Sequence, residues 1–114
     1  MVATGQHLDV AIINELRGVM GDDFSMLVDT FVTDSTQRIS SISEAVAAAN
    51  PDNIRRAAHG FKGSASNMGA VHLTELCNQL EQLGHAGECT GSAVLAAEIA
   101  TAFAAFEKEL LAFC

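Results

Sequence analysis

The chain has no tryptophan and no tyrosine, a single proline, three cysteines and only six lysine and arginine residues among 114. Each scarcity excludes something. The cysteines, Cys77, Cys89 and Cys114, are odd in number and widely spaced without a CxxC pair, so they suggest neither a disulfide framework nor a zinc site and read as buried or incidental thiols. Six basic residues against fourteen acidic ones give a net charge of −8, which argues against nucleic acid as a partner. No run approaches the roughly 20 uncharged apolar residues of a membrane span. The first residues, MVATGQHLD, lack the basic region and apolar run of a signal peptide. The chain therefore reads as soluble and cytoplasmic, with no membrane partner. Strand signals are nearly missing too, since no alternating run is bounded by turns.

What is present is helical periodicity. The composition is 49% hydrophobic, much of it alanine, which suits tightly packed helices. The length allows one domain, residues 1–114, to bury a core without disulfides or metals. A short first helix starts at Asp9 as N-cap, carries Val10, Ile13, Leu16 and Val19 or Met20, and ends at Gly21. Asp22 or Asp23 is expected to cap a second helix running to about Ala49 on Phe24, Leu27, Val28, Phe31, Val32, Ser35, Ile39, Ile42 and Val46. Asn50-Pro51 closes it and opens a third, with Pro51 in the first turn, where a missing N–H does no harm; Gly69 ends that helix after Met68. A fourth spans about Ala70 to Leu83 on Leu73, Leu76, Cys77, Leu80 and Leu83. After the polar, glycine-rich loop GHAGECTGS, a fifth spans about Ser92 to Phe113 on Val94, Leu95, Ile99, Phe103, Phe106, Leu110 and Phe113. Short connections between long amphipathic helices predict an all-α fold: an antiparallel up-down-up-down four-helix bundle with a short additional N-terminal helix over one end.

The third helix poses a problem. Its second half, AHGFKGSASNMGA, holds glycines at 60 and 63, each costing a helix interior roughly 1 kcal/mol relative to alanine. On a helical wheel Ile54, Ala57, Ala58, Phe61, Ala65 and Met68 form the core sector, while Asp52, Arg55, Arg56, His59, Lys62, Gly63 and Ser66 lie opposite. Arg55, Arg56 and Lys62 make up half of the chain's six basic residues and crowd around His59. Positions three and four apart are neighbours on a helix, so the imidazole has an ammonium on one flank and no side chain on the other. An exposed neutral imidazole is a nucleophile, free imidazole titrating near 6.5, and a nearby lysine can neutralise an arriving phosphoryl group. Gly63 leaves room for a bulky partner, and the basic residues favour one bearing acidic groups. A surface histidine without function, and glycines that merely let helices pack closely, remain the alternatives at this level.

The run HGFKGSASNMGA, residues 59–70, resembles the signature of histidine-containing phosphotransfer (HPt) domains, His-x-x-Lys-Gly-Ser-[small]-x-x-x-Gly, at His59, Lys62, Gly63, Ser64 and Gly69. The likeness extends to FSMLVDTFVTDSTQRISSI before the site and LTELCNQLEQLG after it. It implies a phosphorelay intermediate of two-component signalling that carries a phosphoryl group on His59 between the aspartates of receiver domains, from hybrid sensor kinase to response regulator. It implies a carrier without ATP-dependent kinase activity, acting as a monomer. No cofactor is implied beyond Mg²⁺ supplied by the partner receiver. By the same resemblance Lys62 neutralises the phosphoryl charge, and Glu81, with Gln82 beside it, holds the ring through Nδ1 so that Nε2 is free to attack. Arg55, Arg56, Gly60, Gly63 and Ser66 are the candidate partner-binding residues. Two positions depart from the pattern: Gly60 is small where larger residues are common, and His85 stands where a basic residue such as arginine is frequent. With Met1 and no kinase segment, the chain is similar to the stand-alone bacterial HptB-type carriers.

Two other functions compete. One is an interaction module that binds receivers or kinases without carrying phosphate. The other is a metal bundle, suggested by His59, His72 and His85 recurring at a regular interval; a di-metal site, however, needs Glu-x-x-His on each of two helices, which this chain lacks. His72 reads instead as a surface residue at a helix start, and His7 as part of a loose terminus.

Overall fold

The computed structural model describes residues 7–114. Among these, five α-helices account for nearly all regular structure: α1 (Val10–Met20), α2 (Phe24–Ala47), α3 (Pro51–Asn67), α4 (Val71–His85) and α5 (Ser92–Leu111). Local chemistry sets most boundaries. Asp9 caps α1, its carboxylate accepting from the amides of Ala11 and Ile12 at 3.0 and 3.4 Å. The Asn50 side chain caps α3 by accepting from Asn53 N at 3.1 Å, with Pro51 opening the first turn. Gly69, at φ 73°, makes the corner into α4. Its carbonyl accepts from Asp9 N at 2.8 Å, which ties the start of α1 to the α3–α4 corner.

Some expected boundaries shift. Asp23 stands at the N-cap position of α2 but makes no side-chain cap bond, because a 3₁₀ turn, Gly21–Asp23, runs straight into the helix. The second helix stops at Ala47, two residues early, and the chain turns through Ala49 at φ 50°. The fourth helix continues past Leu83 to His85, absorbing the first residues of the glycine-rich loop. The fifth ends at Leu111 rather than Phe113. His7 is no loose end: its ring packs edge-on against His72, centroids 5.7 Å apart.

Helices α2 to α5 form a closed ring in which each packs on its sequence neighbours and α5 returns to α2. Helices α3 and α5 are therefore diagonal across the bundle. The centre is aromatic. Phe31 of α2 meets Phe106 of α5 edge-to-face at 5.7 Å and Phe103 at 6.1 Å, and Phe103 in turn approaches Phe61 of α3 at 6.5 Å. Such pairs add about 0.5–1.5 kcal/mol beyond area burial. Ile13, Ile54, Leu73, Leu80, Ile99 and Leu110 are fully buried around them. Val94, expected in the core stripe of α5, is instead 63% exposed, and Ala57 of α3 is only half-buried. Both lie at the margins of their apolar sectors, where a one-residue rotation decides burial. No described helix is long and apolar enough to cross a membrane.

Candidate functional site

The site forms where α3 and α4 run antiparallel at close range. Gly84 permits the approach: a Cβ there would lie 2.7 Å from Arg55 N, 2.7 Å from Pro51 O and 3.0 Å from Arg55 Cα. Backbone meets backbone at this crossing. One turn back along α4 and one turn on along α3, the same register brings Glu81 to His59. A further turn brings Asn78 to Lys62.

His59 projects to solvent, its side chain 66% exposed, and its Nδ1 lies 2.9 Å from Glu81 Oε2. The other oxygen, Oε1, pairs with Lys62 Nζ at 2.6 Å, and Lys62 also donates to Asn78 Oδ1 at 3.5 Å. The Lys62 hydrogen bond holds the Glu81 carboxyl below its ordinary range against the opposing effect of burial, and His59 adds to the lowering. An ionised carboxylate can only accept, so the Nδ1 atom facing it carries the proton. In the neutral ring the lone pair is then on Nε2, on the far edge of the imidazole. The arrangement is an outward nucleophilic nitrogen on a ring held by a partly buried anion.

The other sequence candidates are distributed unevenly. Lys62 is less a free flank than the wheel implied, being turned toward α4 and bridged to His59 through Glu81. Arg55 and Arg56 are both held by Asp52, each at 3.0 Å, so their charge is shared with an acid on their own helix. That hydrogen bonding, Arg55 foremost, lowers the Asp52 carboxyl. Gly63 faces open space, with nothing within 4 Å of a would-be Cβ. Gly60 does not: the guanidinium of Arg38, from α2, occupies its open side, with Nη1 2.6 Å from the Cβ position. Ser66, Gln82 and His85 are exposed, and no hydrogen bond joins any of them to His59. Cys77 is buried, which pushes its thiol up to about 12 and leaves it unreactive.

Sequence reasoning missed Asn78, Asp52 as the holder of two arginines, the Asp34–Arg38 pair, and Gly84. Three of these had a signal. Asp52 precedes Arg55 and Arg56 by three and four positions, Asp34 precedes Arg38 by four, and Asn78 lies one turn before Glu81. Gly84 had none.

Comparison with known proteins addresses what such a site belongs to. The family model for the Hpt domain matches residues 26–110. The chain belongs to the Hpt domain family. The crystal structure of histidine-containing phosphotransfer protein B (HptB) from Pseudomonas aeruginosa PAO1 matches this Hpt domain with a TM-score of 0.88 and 38% identity, over 91% of this chain and 90% of that one. The Sensor protein TorS of Escherichia coli (strain K12) is 36% identical over 83 residues, 71% of this chain but only 9% of TorS. The helical bundle and a histidine phosphotransfer role in phosphorelay thus come with membership of the Hpt family.

Proposed function

We propose that this Hpt domain is a phosphorelay intermediate that carries a phosphoryl group on Nε2 of His59 between the aspartates of receiver domains, hybrid sensor kinase to response regulator. The observation that carries the reading is the 2.9 Å contact of Nδ1 with Glu81 on a ring otherwise exposed to solvent. In the transfer, the Nε2 lone pair attacks phosphorus of an aspartyl phosphate. The P–N bond forms as the P–O bond to the aspartate breaks, and the electron pair leaves with the carboxylate. The ring retains its Nδ1 proton and becomes cationic, and Glu81 is placed to stabilise that charge. Delivery to a second receiver reverses the step. Lys62, whose ammonium is one carboxylate away from the ring, neutralises the phosphoryl oxygens. Open space at Gly63 admits the receiver, which brings the Mg²⁺. On this reading the chain is a single cytoplasmic domain with no ATP-dependent kinase activity.

The test is labelling by a receiver domain loaded with radioactive phosphate. Wild type is expected to gain acid-labile, base-stable phosphate, and His59→Gln to gain none while melting at the wild-type temperature. Binding of the receiver without labelling of the wild type would instead support an interaction module and overturn the carrier reading.

A further inference from the structure

Against the side of α3 turned toward α2 lies a cationic group of α2 that the phosphoryl chemistry above does not use. Arg38 Nε lies 2.6 Å from Asp34 Oδ2, one turn earlier on α2. This pair aims the far edge of the guanidinium across the groove to α3, where Nη1 and Cζ lie 2.6 and 3.9 Å from the place a Gly60 Cβ would take. Gly60 directly follows His59. Arg38 therefore sits beside the turn that bears the imidazole, on the flank opposite Lys62 and Glu81. Its side chain remains 36% exposed.

With Nε spent on Asp34, the Nη hydrogens have no carboxylate partner among the described residues. This sets Arg38 apart from its basic neighbours. Lys62 is committed to Glu81, and Arg55 and Arg56 share Asp52 within α3 itself. Arg38 alone reaches the histidine-bearing helix from another element, and only glycine at 60 leaves it the room. A planar fork held at its Nε end is suited to bidentate recognition of a carboxylate.

We propose that Arg38 is a partner-selecting residue: its Nη edge takes an acidic side chain on the rim of the receiver that docks over His59, and Gly60 is there to seat the guanidinium rather than to touch the receiver. The assignment rests on the receiver-docking reading above and adds the residue that discriminates among receivers. Asp34 is the positioning residue, acting through Arg38. Recognition is ionic and peripheral, so it acts on association and leaves the attack at phosphorus to His59 and its partners on α4.

The experiment titrates purified receiver domains of the source organism against wild type, Arg38→Glu, Gly60→Ala and Lys108→Glu. The last makes the same change in net charge at an exposed position of α5, the helix diagonal to α3. Arg38→Glu is expected to raise the Kd of the preferred receiver about tenfold and to narrow the preference among receivers, with the kinetic loss in KM rather than kcat. Gly60→Ala displaces the flexible guanidinium; it is expected to melt no lower than wild type and still bind the preferred receiver several-fold more weakly. Lys108→Glu is expected to stay within about twofold, the salt-screened effect of a distant charge. Binding of every receiver by Arg38→Glu within the range of Lys108→Glu would overturn the proposal. A lower melting temperature for Gly60→Ala with unchanged affinity would do the same, by making Arg38 a structural tie between α2 and α3. Should the wild type bind receivers without accepting phosphate, the carrier reading fails and these same affinities still decide the role of Arg38. Should it bind none, both fall.

Discussion

Alanine at Gly84 and alanine at Gly63 are chemically the same substitution, both within helices, yet the structure assigns them opposite signs. At Gly84 the new methyl would meet backbone atoms at 2.7, 2.7 and 3.0 Å, where ordinary contact begins near 3.4 Å. Backbone cannot swing aside as a side chain can, so α3 and α4 must separate by about 0.7 Å, a change of the kind that costs about 1–3 kcal/mol in a packed interior. The gain in helix propensity, up to about 1 kcal/mol, is smaller here because Gly84 lies in the last turn. The net expectation is a loss of about 1–2 kcal/mol, or roughly 4–8 °C in melting temperature. At Gly63 nothing lies within 4 Å, so the propensity gain stands alone, and a rise of about 4 °C is expected. Thermal unfolding followed by far-ultraviolet circular dichroism measures both. The functional consequence is separable. The forced separation falls one turn from the His59–Glu81 contact, so Gly84→Ala is also expected to slow phosphoryl uptake and to perturb the imidazole ¹⁵N tautomer signature. Should Gly84→Ala melt at or above wild type, the close crossing of α3 and α4 is not what sets the geometry of the site.

Three further expectations use the same structure. Glu81→Gln keeps the shape but removes the anion shared by His59 and Lys62; it is expected to slow transfer about tenfold while costing about 1 kcal/mol of stability, read from stopped transfer reactions and urea midpoints. Glu81 and Asp52 both titrate below their ordinary values of 4.5 and 3.8 in the folded chain. Their contribution is complete above those unfolded-state values and is lost as pH falls through the lower folded-state ones. Urea midpoints are therefore expected to drop below about pH 4.5, less steeply in Glu81→Gln, and an unchanged slope in that variant would remove Glu81 from the account. Phe106→Ala removes a fully buried ring that meets Phe31 and is expected to cost about 3–5 kcal/mol by chemical denaturation without altering the His59 site in the fraction that remains folded.

The helices and most of their ends were legible in the sequence, because caps and turns are local. Asp9 bonds amides two and three residues on, Asn50-Pro51 marks both the end of one helix and the start of the next, and Gly69 adopts a left-handed conformation that few other residues tolerate. The outward direction of His59 was legible for a related reason, since Ile54, Ala58, Phe61 and Ala65 must share the opposite side. Errors gathered where no local rule applies: Val94 at the edge of a stripe, the absent cap bond at Asp23, and Ala47 rather than Ala49 as the end of α2.

Within the site, a wheel gives the angle of each side chain on its own helix but nothing about the register of the helix beside it. The family resemblance put Glu81 at the ring with Gln82 beside it, and the packing of α4 against α3 turns Glu81 to the imidazole and leaves Gln82 in solvent. Gly60 and Gly63 both stood as candidate partner-binding residues, yet Gly63 faces open space and Gly60 lies beneath an arginine from α2. Which acid holds which base, and which bare patch is open, depend on distances between separate helices. Those distances are set by contacts such as Gly84 against Arg55 and Pro51, between residues remote in sequence. The order of residues along the chain dictated the helices, the nucleophile pointing outward and the basic residues beside it; only the association of helices brought Glu81 against the ring and Arg38 of α2 against the next residue.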